Sequence, residues 1–208
     1  MKCESTSLNI EISPPAGISQ RAISVSQAFK SRSSLFVLDN KNYFPHISLY
    51  MTEFPLENIK EISKNLKQLA SETKPFIIES TGYKQDNDGY IYVSYQISLK
   101  IKKLQTDIVK LLNPLRRGLI RKNDKLRIRL GKYSKAQQKN VQLYGYRGVG
   151  NEFNPHLTFA KLETFDKTAL SLIPKYDFSF EASKIGLFYL GDYGTCHKPI
   201  KIFNLSKK

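Results

Sequence analysis

The chain has 208 residues, with 33 Lys plus Arg against 18 Asp plus Glu, a net charge of +15 and a pI near 9.7. Hydrophobic residues at 40% argue against a disordered chain, no apolar run approaches the roughly 20 residues a membrane span needs, and two cysteines, Cys3 and Cys196, are too few for a disulfide framework and lack metal-ligand spacing. The length suits one domain or two closely packed lobes needing neither metal nor disulfide, and so basic a composition points to polyanionic partners.

Met1 to Ile12 lacks the basic start, long apolar stretch and small-residue cleavage site of a secretory signal, so a cytoplasmic protein away from membranes is expected. Within it, Leu8 to Ile12 alternates like an opening strand, which Pro14-Pro15-Ala16-Gly17 breaks. Ile18 to Arg32 is spaced as a helix, and Leu35 to Leu38 is a short apolar run that suits a strand or a packed loop. Tyr43 to Met51 reads as a strand. In Leu56 to Ser71, Leu56, Ile59, Ile62, Leu66 and Leu69 fall at helical spacing, with Pro75 beyond the end. Phe76 to Tyr83 and Tyr90 to Leu99 are strand-like, with a hairpin turn at Asp86-Asn87-Asp88-Gly89. Ile101 to Asn113 is a further amphipathic helix, closed by Pro114. After a basic stretch come a strand at Asn154 to Lys161, a short helical piece at Asp166 to Ile173, and strands at Phe178 to Phe180, Ile185 to Leu190 and Pro199 to Leu205. Strands interleaved with helices through hairpin-like connections predict an α+β fold with antiparallel sheet.

The basic stretch runs from Arg116 to Arg147, with eleven basic residues against one acid, Asp124, and with Tyr133, Tyr144 and Tyr146 interleaved. Lys and Arg for phosphates, with aromatics for bases, is how single-stranded nucleic acid is held. Arg127, Arg129, Lys132 and Arg147 are the candidate contacts; a solvated basic surface is the plain alternative.

Two copies of one pattern, 110 residues apart, carry the chemistry: Pro45-His46-Ile47-Ser48-Leu49 and Pro155-His156-Leu157-Thr158-Phe159. In a strand, positions i and i+2 share a face. Each copy therefore aims an imidazole and a hydroxyl at one surface while its apolar residues anchor the other, and two such strands facing each other make a two-histidine cleft. One histidine can take a proton while the other supplies one, because imidazole titrates near neutrality. Ser48 and Thr158 can donate to phosphate oxygens where charge builds, and the scheme needs no metal or other cofactor. A lone strand histidine is usually structural, but two in matching settings are hard to assign to chance. His197, the third histidine, suits a plain turn. By strand alternation Tyr50 shares a face with His46 and Ser48, for base stacking or for packing.

The two His-apolar-Ser/Thr-apolar motifs resemble those that define the 2H phosphoesterase superfamily, which includes the 2'-5' RNA ligases, cyclic nucleotide phosphodiesterases and 2'-5' oligoadenylate-degrading enzymes. The element order around the motifs is similar too. The resemblance implies two pseudo-symmetric α+β lobes flanking a central cleft, with catalytic roles on His46, Ser48, His156 and Thr158 alone; Ser48 stands where threonine is more frequent. The expectation is one bilobal domain over residues 1–208 with a basic insertion around 116–150. It would be a monomeric, metal-independent phosphoesterase cleaving 2'-5' phosphodiester or 2',3'-cyclic phosphate bonds in RNA, oligonucleotides or cyclic nucleotides. The alternative is an RNA-binding protein with a non-catalytic two-histidine cleft.

Overall fold

The computed structural model describes residues 4–206, so Cys3 and the first residues of the Met1 to Ile12 segment lie outside the described residues. In chain order the elements are β1 (Ser5–Ile12), α1 (Ala16–Ala28), β2 (Ile47–Pro55), α2 (Ile59–Glu72), β3 (Phe76–Ile78), β4 (Ser80–Gln85), β5 (Tyr90–Tyr95), α3 (Leu99–Leu112), α4 (Lys122–Arg129), α5 (Lys135–Tyr144), β6 (His156–Lys161), β7 (Phe180–Ala182), β8 (Lys184–Leu190) and β9 (Cys196–Asn204). The fold is α+β. Seven antiparallel strands form one sheet in the order β4-β5-β6-β2-β1-β8-β9, and β3 pairs with β7 in a second, two-stranded sheet.

The two motif strands do not face each other across a gap. They lie side by side at the middle of the large sheet and pair at a single position, Ile47 with Leu157. This one rung joins β4-β5-β6 to β2-β1-β8-β9. One face of the sheet is apolar: Leu8, Ile10 and Ile12 of β1, Ile47 and Leu49 of β2, and Leu157 and Phe159 of β6 are fully buried. α1 packs against β6, α3 against β2, and α2 against β8 and β9. Burial at about 1.5–3 kcal/mol per large side chain holds the motif strands down on this face, which leaves the other face for polar groups.

Several boundaries move for local reasons. The Ile18 to Arg32 helix starts earlier, at Ala16 behind Pro15, and tightens into a short 3-10 turn at Lys30–Arg32. Leu35 to Leu38 is a packed loop, with Phe36 and Leu38 buried. Phe76 to Tyr83 is two strands in different sheets, β3 and β4, and Asp166 to Ile173 holds only a 3-10 turn at Ala169–Leu172. The Asp86–Gly89 hairpin turn forms as its residues dictate. Gly89 sits at φ 85°, and a Cβ there would run into the Leu162 carbonyl.

Glu11 on β1 is a buried carboxyl. Its Oε1 accepts from the Ser13 hydroxyl at 2.5 Å, and its Oε2 has no hydrogen-bond partner in the protein. Burial pushes its pKa up from 4.5 to about 8, only partly offset by the Ser13 hydrogen bond. The folded chain therefore holds a proton that the unfolded chain releases above pH 4.5, so stability falls as pH rises from about 4.5 to about 8 and levels off beyond. Glu11→Gln is expected to stabilise by on the order of 3 kcal/mol at pH 7 and by little at pH 4.5. Urea unfolding at pH 4.5, 7 and 8.5 checks this, and an equal difference at all three contradicts it.

Candidate active site

The polar face at the sheet's centre forms the floor of a cleft of about 700 Å³, lined by His46, Ser48, His156 and Thr158 among others. With Ile47 opposite Leu157 in an antiparallel pair, His46 lies across from Thr158 and Ser48 across from His156. The four groups are thus related by an approximate two-fold axis through the rung, as the matching motifs require.

Each motif then does something strand alternation does not foresee. Along β1, Glu11 pairs with Ser48 but Ile10 pairs with Tyr50, which leaves Leu49 as an extra, bulged residue. Along β5, Ile91 pairs with Ala160 but Tyr92 pairs with Thr158, which leaves Phe159 bulged in the same way. The fourth residue of both motifs is a β-bulge, and a bulge flips the faces beyond it. The cleft therefore receives positions 1, 3 and 6 counted from each histidine: His46, Ser48 and Met51 from β2, and His156, Thr158 and Lys161 from β6. Tyr50, predicted to share the face of His46, is instead fully buried. Its hydroxyl donates to the Tyr144 carbonyl at 2.6 Å, and its ring meets Phe54 edge-on. It is a core residue, not a base platform.

The two imidazoles are held alike. Nδ1 of His46 lies 2.8 Å from the Phe44 carbonyl, and Nδ1 of His156 lies 2.7 Å from the Asn154 carbonyl. A carbonyl only accepts, so each Nδ1 carries hydrogen and Nε2 is the other proton-transfer atom; the His46 ring also meets the Gly194 backbone, as the His156 ring does not. The Ser48 hydroxyl oxygen accepts from the Asn9 amide at 2.8 Å, which leaves the hydroxyl hydrogen free to point elsewhere. The Tyr92 ring packs on the His156 ring at 4.9 Å between centroids.

Burial pulls the His46 pKa down to about 4, the Phe44 carbonyl opposes this, and nearby His156 adds to it. His156 is also lowered, chiefly by burial and further by Arg147, against the Asn154 carbonyl and Asp86.

The basic stretch divides into scaffold, cleft wall and outer surface. Arg116 is buried: its Nε donates to Asn113 Oδ1 at 2.7 Å and its Nη1 to the Leu119 carbonyl at 2.6 Å, while Nη2 reaches the Gln142 and Leu143 carbonyls at 3.1 and 2.8 Å. Arg127 and Arg147 line the cleft. Arg129 and Lys132 do not; they are exposed, because their positions on and after the short α4 face away from the floor. Tyr133, one of the aromatics interleaved in the basic stretch, lines the cleft too, as do Arg121, Tyr90 and Tyr193, which were not among the predicted contacts. Lys161 lies against two of these tyrosines, its Nζ 5.1 Å from the Tyr90 ring centre and 5.6 Å from that of Tyr193. Tyr90 and Tyr92 alternate with buried Ile91 and Val93, a period-two signal that could have placed both on the cleft face. His197 lies outside the cleft, exposed, with Nδ1 near the Asn42 carbonyl. Cys196 is buried and its Sγ accepts from Asn9. Among the described residues no three His, Cys, Asp or Glu side chains gather as a metal site, and no helix is long and apolar enough to cross a membrane.

Comparison with known proteins follows the same lines. Among solved structures, LigT of E. coli complexed with 3'-AMP superposes with a TM-score of 0.62 at 16% identity, covering 98% of this chain and 100% of that one. The protein TT0787 of Thermus thermophilus gives 0.58 at 14% identity, covering 96% of this chain and 98% of that one. A search of curated proteins by sequence gives no match. Residues 26–193, which contain both motifs, match the model of the 2'-5' RNA ligase superfamily. With the motif pair on one cleft floor and the fold shared with LigT, the chain belongs to the 2'-5' RNA ligase superfamily, among the 2H phosphoesterases.

Proposed function

We propose that this protein is a phosphoesterase that cleaves a 2'-5' phosphodiester or opens a 2',3'-cyclic phosphate in RNA or a small oligonucleotide, using His46 and His156 as general acid and base. The observation that supports this best is the pair of imidazoles with Nδ1 tied to a backbone carbonyl, each across a strand rung from a hydroxyl. One Nε2 takes the proton of water or of a ribose hydroxyl as its oxygen attacks phosphorus. The other gives its proton to the leaving oxygen, so no charged alkoxide departs. Ser48 and Thr158 donate to the non-bridging oxygens, where negative charge grows. Approximate symmetry lets either motif serve either role. The 3'-AMP held by LigT is a ligand of the class this reading expects.

The test is product formation over a panel of 2'-5' oligonucleotides, cyclic-phosphate RNAs and cyclic nucleotides, with chelator in excess. Turnover of at least one class is expected. RNA retained with no product from any class would favour a binding protein with a silent cleft.

The proposal also fixes a pH dependence. Catalysis needs the histidine pair to carry one proton, and in the free protein both histidines titrate below the ordinary imidazole value, His46 near 4. kcat/KM is therefore expected to peak on the acid side of pH 6.5 and to fall as pH rises past it. The kcat profile should lie at higher pH, because a bound phosphate anion favours the second proton. A kcat/KM maximum above pH 7 would contradict the acid-base pairing.

A further inference from the structure

Asp124 is the one acid in the basic stretch, and it is fully buried at the start of α4. Both its oxygens are used: Oδ2 accepts from Arg121 Nε at 2.6 Å and Oδ1 from the Tyr133 hydroxyl at 2.6 Å. A buried carboxylate is costly unless fully paired, and here both partners line the cleft. The Arg147 guanidinium stands 5.6 Å from the centre of the Tyr133 ring, so the same carboxylate indirectly sets a second arginine. Arg127, from the same helix, also lines the cleft; its ion pair is a loose one, 4.0 Å from exposed Asp88. Arg121 spends only Nε on Asp124, and Arg147 makes no ion pair among the described residues. Three guanidiniums thus line the cleft with the four motif side chains, one paired with the buried carboxylate, one resting on that carboxylate's tyrosine partner and one carried on the same helix. Guanidinium forks suit phosphate oxygens.

Resting on the phosphoesterase reading above, we propose that Arg121, Arg127 and Arg147 form a second phosphate subsite, which takes a phosphate of the substrate next to the one that reacts, and that Asp124 and Tyr133 are its positioning residues. The substrate class is then an oligonucleotide with at least two phosphates, not a nucleoside carrying one. Asp124 fixes the direction of the Arg121 fork and of the Tyr133 ring against which Arg147 rests, so these two arginines are ordered before the anion arrives.

Binding and turnover separate the subsite from the chemistry. For binding, the ligands are a 2'-deoxy dinucleotide with a 3'-5' linkage, the same dinucleotide with a 5'-terminal phosphate, and the corresponding trinucleotide with a second internal phosphate. The added phosphate is expected to tighten binding about tenfold in one arm or both, and the arm with the larger gain identifies the source. Arg127→Gln and Arg147→Gln should each erase most of that gain. Asp124→Asn and Tyr133→Phe should reduce it, because a merely structural role would weaken all ligands alike. For turnover, the ratio of kcat/KM with and without the added phosphate should fall toward one in the arginine variants. No gain in the wild-type protein, or a gain that survives Arg127→Gln and Arg147→Gln, overturns the subsite. Arg127 is partly exposed, so its variant stays informative if Asp124→Asn fails to fold. A phosphate-dependent gain in binding with no turnover of any substrate would sink the phosphoesterase reading and leave the subsite standing.

Discussion

Replacing His46 or His156 by alanine should each lower turnover by at least about 100-fold, the loss typical of a general acid or base. In the proposed mechanism each imidazole makes one of the two proton transfers, and no other histidine lines the cleft. The double variant should fall little below the worse single one, since groups that act as a unit are not additive. Ser48→Ala and Thr158→Ala should cost less, as each removes one hydrogen bond among several. RNA affinity and unfolding midpoint should change little in the histidine variants, because the one hydrogen bond from each Nδ1 is local, to the carbonyl two residues before it. His197→Ala is the control, exposed and outside the cleft. Steady-state rates on the best substrate of the panel decide it: near-normal turnover in either His46→Ala or His156→Ala would end the paired assignment.

The largest effect on stability is expected at Arg116. Three of its four hydrogen bonds satisfy backbone carbonyls, two in the last turn of α5 and that of Leu119 before α4, the fourth goes to the Asn113 side chain, and its charge sits where the α5 dipole is negative. Tyr50 takes the next carbonyl, that of Tyr144. Gly145 then turns the chain at φ 68°, where a Cβ would meet Thr52 and crowd the Arg116 side chain. Arg116→Ala strips partners from several buried carbonyls at once and should cost about 3 kcal/mol or more. Arg116→Lys should recover only part of this, because an ammonium lacks the planar fork. Exposed Arg129→Ala should stay within about 0.5 kcal/mol. Chemical denaturation of the three variants measures this directly, and a loss under about 1 kcal/mol for Arg116→Ala would show that the clamp is dispensable.

Much of this site was legible in the chain. Proline-histidine followed by alternating apolar and hydroxyl residues names its own strand and the face its histidine and hydroxyl take, and Asn-Asp-Gly names its own turn. What was hidden depends on partners distant in sequence. The bulges at Leu49 and Phe159 exist only as mismatches with β1 and β5, so no local pattern placed Met51 and Lys161 in the cleft or Tyr50 in the core. Charge alone made Arg129 and Arg147 equal candidates, although one is outer surface and one cleft wall, and gave no sign that Arg116 is buried scaffold. Asp124 looked like a lone exception in a basic run, and its importance lies in what it touches.

The single rung between Ile47 and Leu157 also sets the mechanics of the cleft. A seam one residue long acts as a fulcrum: any tilt of one half-sheet against the other displaces an atom in proportion to its distance from that point. The motif histidines and hydroxyls sit one residue from that point, so their spacing depends least on the tilt between the half-sheets. The spacing of the two imidazoles is thereby set at the one point where the half-sheets pair.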